Sequence, residues 1–450
     1  MNPNQSQNKP LISLFTAISI VVANMIGTGV FTSLGFQAID IKSGFALLFL
    51  WLVGGVVALC GALVYGELGA VMPRSGGEFY YLSKIYHPAV GFLSGWVSAT
   101  VGFAAPIALA AMALGEYFVG VFPLFNKTAI ALTVVIAVSL VHSQNINIGS
   151  YFQNFFTLLK VLLIVSLIGC GLVLGKPQEI SFLPAPGDLN LILSSPFAVS
   201  LVYVMYSYSG WNAAVYVASE VKDPEKNVPR ALFTGTTIVL VLYLLVNFIF
   251  LYVAPISELS GQLEVGSIAA SKIFGDAGGK IMSLLISFGL ISAISSMVWA
   301  GPRVTQTIGE DIPLFKILAA KNTNGVPHYA ILLQLAIVVV LLITASFQAV
   351  LTFLGFTLSL SSFLTVLGIF VHRFKYPDIP RPYKTWGYPV TPIIFLAINL
   401  WMLVFIFRDK TGESLAGLGI ISLGLLVYWI AVRQKLANSK VNDENQSIIK

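Results

Sequence analysis

The chain has 450 residues, of which 57 % are hydrophobic and 10 % charged, and its formal net charge is +6. Soluble domains usually carry about 25 % charged residues, so a soluble protein of this length and composition could not cover its surface with polar groups. The two cysteines lie inside apolar runs, which excludes a disulfide or metal framework built on them. The composition therefore predicts a membrane protein and gives no reason to expect a nucleic-acid partner.

Long apolar runs follow one another along the chain. A run of about 20 apolar residues crosses a hydrocarbon core of roughly 30 Å as a helix, and these runs lack the period-two alternation of barrel strands. We predict an all-α polytopic membrane protein with twelve transmembrane helices. They cover residues 12–36, 45–66, 88–121, 128–143, 150–175, 196–218, 231–254, 279–307, 328–345, 348–371, 388–407 and 413–433.

Basic residues are unevenly distributed between the predicted loops. With the N-terminus in the cytoplasm, the inner segments hold seventeen Lys and Arg residues and the outer segments hold seven. Short cytoplasmic loops carry the excess of positive charge in membrane proteins. We therefore predict a multi-pass protein of the plasma (inner) membrane with two cytoplasmic tails, residues 1–11 and 434–450.

The first predicted helix contains the weak segment Gly27-Thr28-Gly29 near its centre. Glycine is a poor helix former, so two glycines around a threonine favour an interruption at mid-membrane. Taken alone, the segment also fits a small-residue contact between two helices.

The sixth predicted helix has a matching weak segment, Ser207–Gly210. Unwound backbone at membrane depth is tolerated where it lines a cavity or is buried in protein. Two such interruptions, in corresponding helices of two five-helix halves, indicate a midplane binding site. Free N–H groups at a helix start suit a carboxylate, and free carbonyls at a helix end suit an ammonium. The pair of interruptions therefore predicts a zwitterionic α-amino acid as substrate.

Lys160 is the one basic residue that belongs to neither the inner nor the outer segments, because it lies ten residues into the fifth predicted helix. At about 1.5 Å per residue it lies roughly 15 Å deep. A lysine near a helix end can reach the interface with its long side chain, but this depth makes that reach difficult. An intramembrane charge is then a candidate for function.

Five motifs, in order and spacing, resemble the amino acid–polyamine–organocation superfamily, and within it the bacterial relatives of the L-type amino acid transporters. The motifs are Met25–Phe31, Tyr65–Tyr80, Tyr208–Ala231, Ala300–Val304 and Arg381–Pro389. The resemblance implies a LeuT-like fold with discontinuous first and sixth helices. In that fold residues 12–175 (helices 1–5) and 196–371 (helices 6–10) form two inverted repeats, and residues 388–433 form two peripheral helices.

The same resemblance implies roles for the residues at the two interruptions. Tyr206 occupies the position of a gating aromatic that closes over the substrate. Ser209 stands where many relatives have glycine, which favours a small or medium neutral side chain on the substrate. The implied substrate-binding residues are Met25, Gly27, Thr28, Gly29, Tyr206, Ser207 and Ser209.

The resemblance also gives Lys160 a role. Sodium-coupled members hold a cation between the first and eighth helices, and sodium-independent relatives place a fifth-helix lysine there. The Lys160 ammonium would then bond carbonyls near Ala23 and the hydroxyl of Ser295 or Ser296. The serine run 292–296 also resembles a sodium-ligand pattern, but a fixed ammonium would repel the ion. We predict sodium-independent transport and no metal or cofactor.

The energy source has several alternatives. Some proton-coupled relatives carry a third-helix glutamate five residues after a tryptophan, and here Val101 follows Trp96 at that offset. This favours an exchanger or facilitator over a proton-coupled symporter. A sodium-coupled symporter and a non-transport sensor on the same fold are weaker alternatives.

The remaining polar residues suggest structural roles. Glu67 and Arg74 lie near the predicted inner mouth, where carboxylates and guanidiniums commonly pair to form a gate. His142 and His372 fall at cytoplasmic helix ends and need no special role. No converging set of catalytic or metal-ligating residues indicates an enzyme. The expected partners are an amino acid and the lipid bilayer, with no obligate protein partner.

Overall fold

The structure of the protein is a computed structural model that describes residues 12–144, 149–311 and 313–448. Within these residues the regular elements are helical, and the one extended pairing is an isolated parallel bridge between Ile12 and Val221. The predicted all-α class is therefore confirmed for the described part of the chain. The predicted tail 1–11 lies outside the described residues.

Seventeen α-helices follow one another through the described ranges. They are α1 (Leu14–Met25), α2 (Gly29–Asp40), α3 (Gly44–Val71), α4 (Gly77–Ile85), α5 (Pro88–Val97), α6 (Ala104–Val119), α7 (Lys127–Gln144), α8 (Gly149–Leu174), α9 (Asp188–Ile192), α10 (Ser195–Tyr208), α11 (Pro224–Val253), α12 (Ile256–Leu259), α13 (Val265–Asp311), α14 (His328–Thr344), α15 (Phe347–Lys375), α16 (Val390–Asp409) and α17 (Thr411–Ile448). A π-helical turn covers Ser98–Gly102, and 3₁₀ segments cover Ala213–Glu220 and Pro313–Ala319.

The described residues contain nine helical segments long and apolar enough to cross a membrane. Two shorter apolar helices, Leu158–Leu174 and His328–Thr344, lie at the fifth and ninth predicted spans. The sixth predicted span corresponds to α10, which has 14 residues because it ends at Tyr208. Several long apolar helices in one chain make the protein a polytopic membrane protein.

Several helix starts carry the groups that their free N–H donors require. The Ser13 and Ser43 hydroxyls accept bonds from the backbone N–H three residues on, at 3.2 and 3.1 Å. Each bond satisfies one of the four N–H groups that a helix start leaves free. Pro88 and Pro224 lie in the first turn of α5 and α11, where a missing N–H removes no helical bond.

One compact unit comprises the described residues up to 85 together with 161–279 and 359–405. In it, α11 packs along α3 and α1, and α10 packs against α2 and α3. Large aromatic side chains fill the space between these helices. Trp51, Tyr203, Tyr208, Tyr243 and Phe250 are fully buried.

The second compact unit comprises the described residues of 86–160, 280–358 and the chain from 406 onward. Here α6 packs against α7 and α14, and α17 packs against α5. The Trp96 indole N–H donates to the Ile420 carbonyl at 2.9 Å and ties α5 to α17.

Several predicted helices differ from the observed ones, among them the third, the eighth and the seventh. The third is not continuous, because the π-helical turn Ser98–Gly102 interrupts it. The eighth continues a helical stretch that begins at Val265 and bends at Gly275, whose φ of 78° belongs to the left-handed region open to glycine. The seventh begins at Pro224, seven residues before its predicted start at 231.

Candidate functional site

The first span is interrupted where its two glycines occur. Helix α1 ends at Met25, Ile26 leaves the helical region with ψ 89°, and α2 begins at Gly29. The last carbonyls of α1 and the first N–H groups of α2 therefore lack their usual helical partners at this point. The side chains of Met25, Ile26 and Thr28 are buried, so these groups lie inside the protein.

The sixth span is interrupted in a similar way. Helix α10 ends at Tyr208, Ser209 is extended with ψ 147°, and Gly210 has a φ of 96°. The chain then continues as the 3₁₀ segment Ala213–Glu220. The interruption therefore lies in the predicted weak segment Ser207–Gly210, and the second half of the predicted span 196–218 is a 3₁₀ segment rather than an α-helix.

The two interruptions pack against each other through glycines. A Cβ at Gly29 would lie 2.4 Å from the Ser207 Oγ and 2.7 Å from its Cα. A Cβ at Gly210 would lie 2.7 Å from the Asn24 carbonyl oxygen. In contrast, a Cβ at Gly27 would meet nothing within 4 Å. Gly29 and Gly210 therefore permit a close approach of backbones, whereas Gly27 borders open space.

Side-chain hydroxyls join α2 to α10 beside the interruptions. The Thr28 Oγ1 and the Tyr206 hydroxyl are 2.9 Å apart, and both residues are buried. The Ser207 hydroxyl donates to the Tyr203 carbonyl at 2.8 Å and lies 2.9 Å from the Ser33 hydroxyl. Four of the predicted substrate-binding residues, Thr28, Gly29, Tyr206 and Ser207, are thus in one connected set.

Tyr243 belongs to this set, although no motif of the sequence points to it. Its hydroxyl donates to the Met25 carbonyl at 2.6 Å, and the Gly27 backbone faces the same hydroxyl. The residue is fully buried against Trp51 and Tyr208. A tyrosine within the apolar run 231–254 was the available signal, but nothing local indicated which backbone its hydroxyl would meet.

Lys160 is buried, and its side chain lies along α13. A Cβ at Gly289 would lie 3.3 Å from the Lys160 Cγ, so the glycine makes room for the lysine stem. The two predicted hydroxyl partners of Lys160 have other contacts. The Ser295 Oγ is 2.7 Å from His142 Nε2, and the Ser296 hydroxyl donates to the Ser292 carbonyl at 2.8 Å. Ala23 is half-buried in α1, and the role assigned to these residues stays a prediction.

The predicted gate pair between Glu67 and Arg74 is wrong. Glu67 is 1 % exposed, and Arg373 donates to both of its oxygens, Nε to Oε1 at 2.9 Å and Nη2 to Oε2 at 2.6 Å. Arg381 Nε lies 3.3 Å from Oε1, and the Thr385 backbone N–H donates to Oε2 at 2.7 Å.

Arg74 instead lies over the ring of Tyr80, 5.3 Å from its centroid. The cations that reach Glu67 come from the end of α15, which holds Arg373, and from the motif before the eleventh span, which holds Arg381. Sequence distance hides this pairing because more than 300 residues separate Glu67 from Arg373.

Glu78 is a second buried carboxylate near the sixth-span interruption. It accepts hydrogen bonds from the hydroxyls of Tyr65 at 2.5 Å, Ser361 at 3.1 Å and Ser362 at 3.2 Å, and from the Asn212 amide at 3.3 Å. Each of these donors is neutral. Burial raises the pKa of the Glu78 carboxyl above its ordinary value, although the four hydrogen bonds oppose that rise.

Comparison with known proteins gives a consistent result. A family model described as amino acid permease matches residues 12–432. The b(0,+)-type amino acid transporter 1 of Homo sapiens is 28 % identical over 449 residues, covering 96 % of this chain and 90 % of that protein. The large neutral amino acids transporter small subunit 2 of Mus musculus is 28 % identical over 445 residues, covering 94 % of this chain and 81 % of that protein.

The name of the second relative bears on the expected partners. That protein is called a small subunit, which describes it as one part of an assembly. The expectation that no protein partner is needed therefore has no support from the relatives.

Proposed function

The chain belongs to the amino acid permease family, and we propose that it carries L-amino acids across the membrane by alternating access, without sodium, as an exchanger or a facilitator. Family membership makes the protein a transporter and excludes the enzyme class. The observation that carries the mechanism is the mutual packing of two helix interruptions beside the open space at Gly27.

In this proposal the open space at Gly27 receives the backbone groups of the amino acid. The start of α2 offers free N–H groups and the positive end of a helix dipole to a carboxylate. The ends of α1 and α10 offer carbonyls to an ammonium. The N–H groups for the carboxylate come from Gly27, Thr28 and Gly29. The carbonyls for the ammonium come from the two helix ends at which Met25, Ser207 and Ser209 lie.

Tyr206 serves as the gate in this proposal. Its hydroxyl is held by the Thr28 hydroxyl, so a change in the position of α2 is transmitted to the ring. Tyr206 and Ser209 leave room for a small or medium neutral side chain. The name of one relative refers to large neutral amino acids, which supports a neutral substrate but not a small one.

A fold of twelve spans with a five-plus-five inverted repeat supports alternating access. Helices at corresponding places in the two proposed repeats have similar lengths. The pairs are α3 with 28 residues and α11 with 30, α7 with 18 and α14 with 17, and α8 with 26 and α15 with 29. The bias of basic residues supports the further proposal that the protein lies in the plasma (inner) membrane with both termini in the cytoplasm.

Sodium independence depends on Lys160 in this proposal. A buried ammonium on α8, with its stem against Gly289 of α13, replaces a bound cation between helices. Ala23, Ser295 and Ser296 would complete its surroundings. The test is uptake of labelled amino acid into proteoliposomes in sodium or choline buffer. We expect equal uptake in both buffers. Lys160→Ala should lose transport and should not acquire a sodium requirement. Uptake that needs sodium would overturn this assignment.

Counterflow tests the carrier mechanism. Proteoliposomes loaded with unlabelled amino acid should accumulate external labelled amino acid against its gradient, and a channel would not support that accumulation. Thermal stabilisation measured with each of the twenty amino acids should select neutral substrates. Stabilisation by arginine or lysine alone would contradict the neutral class.

A matched pair of glycine variants tests the site itself. Gly29→Ala should abolish substrate binding, because its Cβ would meet Ser207 at less than 3 Å. Gly419→Ala, in the membrane-spanning α17, has open space around its Cβ and serves as the control. Binding measured by thermal shift should be lost in the first and unchanged in the second. Normal binding by Gly29→Ala would show that the interruptions are not the site.

Proton-coupled symport is a second candidate function, and Glu78 is the observation that favours it. The carboxyl is buried among neutral donors, its pKa is raised, and Asn212 connects it to the sixth-span interruption. The titratable groups that face it are Tyr65 and Tyr216. Proton influx driven by substrate, followed with an internal pH-sensitive dye, should then be absent in Glu78→Gln. Substrate uptake without proton influx would exclude this candidate.

A further inference from the structure

A cavity of about 320 Å³ lies in the second compact unit, apart from the two interruptions. Its lining comes from the end of α7, the last part of α13, the segment before α14 and the first turn of α14. The basic residues of its lining are Arg303, Lys321 and His142, and none of the lining residues is acidic.

The guanidinium of Arg303 is oriented by its own helix. It lies over the ring of Trp299, 3.5 Å from the centroid, and donates to the Trp299 carbonyl. A guanidinium has five N–H donors in a planar fork, so four remain after this bond. The next acidic residue on α13 that has a described side chain, Glu310, accepts a bond from Gln306 instead.

The charge in the cavity is not neutralised by the described part of the protein. Its five ion pairs involve neither Arg303 nor Lys321. Two positive charges around one cavity repel each other and favour a bound anion. The hydroxyl of Thr307 and the amide of Gln306 add neutral hydrogen-bonding groups to the lining.

The surroundings of the cavity favour an anion attached to a lipid. Trp299 is 41 % exposed, and Val298 and Ile331 add apolar lining. Exposed tryptophan and arginine side chains are typical of the membrane interface, and Trp299 and Arg303 lie in the last part of the membrane-spanning α13. Basic pockets between transmembrane helices on the cytoplasmic side bind anionic headgroups. Guanidinium and ammonium groups match phosphate in charge and geometry.

We infer that this cavity binds the phosphate headgroup of an anionic phospholipid. Arg303 holds the phosphate with its planar fork, and Lys321 supplies the second charge. The site also has a physical connection toward the proposed transport machinery, because His142 lines the cavity and contacts Ser295 at 2.7 Å. The binding itself does not rest on the proposed function.

The chain offers a matched control for this site. Arg433 lies over Trp429 at 3.5 Å from the ring centroid, in the same spacing of four residues as Arg303 and Trp299. It is exposed and does not line the cavity. A general effect of losing one arginine stacked on a tryptophan of its own helix would therefore appear equally in Arg433→Gln.

The experiment uses the purified full chain in nanodiscs of phosphatidylcholine alone or with phosphatidylglycerol of the same acyl chains. Phosphatidylglycerol should raise the melting temperature of the unaltered protein and of Arg433→Gln. The double variant Arg303→Gln/Lys321→Gln should bind phosphatidylglycerol at least about tenfold more weakly, measured by titration in mixed micelles. The single variant Arg303→Lys should retain part of the affinity.

Two results would overturn the inference. Equal binding of phosphatidylglycerol by the double variant and the unaltered protein would remove these residues from the site. Stabilisation by inorganic phosphate, with no preference for phosphatidylglycerol over phosphatidylcholine, would identify a site for free phosphate rather than for lipid. The double variant is folded if its melting temperature in phosphatidylcholine equals that of the unaltered protein. If it is not folded, the affinity of Arg303→Lys for phosphatidylglycerol tests the site instead.

Discussion

Glu67 and Glu78 are buried carboxylates eleven residues apart, and the protein surrounds them in opposite ways. Glu67 accepts a two-pronged bond from Arg373 and lies beside Arg381. Glu78 accepts four bonds from neutral donors and has no ion pair among the described side chains.

The difference separates a structural carboxylate from a titratable one. A buried charge that is paired and fully hydrogen-bonded stays ionised, and removing its partner leaves an uncompensated charge. A buried carboxyl with neutral donors can bind or release a proton near the sixth-span interruption, because each form has hydrogen-bond partners there. Glu67 therefore joins α3 to the chain before α16, whereas Glu78 is suited to respond to pH.

The largest effect is expected from Glu67→Gln. The substitution leaves two guanidiniums beside a neutral amide, which should lower the free energy of unfolding by about 3–5 kcal/mol. Glu116→Gln is the control, since its pair with Lys127 is partly exposed and exposed pairs contribute about 0–1 kcal/mol. Denaturant unfolding in detergent measures both. Similar losses of unfolding free energy in the two variants would mean that the arginine pairing of Glu67 stabilises the protein no more than a partly exposed ion pair does.

The pH dependence of stability should reveal Glu78. The pKa of Glu78 in the folded protein is raised above its ordinary value of 4.5. At a pH between the ordinary and the raised pKa, the folded protein therefore holds a proton that the unfolded chain releases. Stability should therefore fall as pH rises through this window, by at most about 1.4 kcal/mol per pH unit. Unfolding measured at a series of pH values should show a flatter curve for Glu78→Gln. An unchanged slope in that variant would assign the effect to another group.

A smaller effect is expected from Ser362→Ala, which removes one donor from the Glu78 Oε1. A lost hydrogen bond should cost about 0.5–1.5 kcal/mol. Because the bond also lowers the pKa of the carboxyl, its loss should extend the pH-sensitive window toward higher pH. Ser359→Ala, on the same helix and more deeply buried, is the control. A window that moves toward lower pH would contradict the assignment.

The smallest effect is expected from Arg74→Gln. The guanidinium is exposed and lies over Tyr80 rather than beside Glu67, so the free energy of unfolding should change by less than about 0.5 kcal/mol. Arg373→Gln, measured in parallel, should lose several times more. A loss in Arg74→Gln as large as that in Glu67→Gln would restore the gate pair that the sequence suggested.

The candidate site was predictable from the sequence to a limited depth. The positions of both interruptions follow from local propensity, since Gly27, Gly29 and Gly210 weaken helices wherever they occur. The different tasks of these glycines were not predictable. Glycine is required at positions 29 and 210 because atoms of Ser207 and Asn24, on another segment, lie too close to admit a Cβ. No such atoms lie close to Gly27. The contact of Tyr243 with Met25 was missed for the same reason.

Composition and local pattern alone determined the membrane class, the approximate spans and the two weak segments, because each depends on residues that are near neighbours in the chain. The tertiary structure decided which arginine meets Glu67, why Glu78 has only neutral donors, and where Arg303 and Lys321 line one cavity. These outcomes depend on residues far apart in sequence, and side chains that look alike in the sequence acquire different ionisation and packing once burial has selected their neighbours.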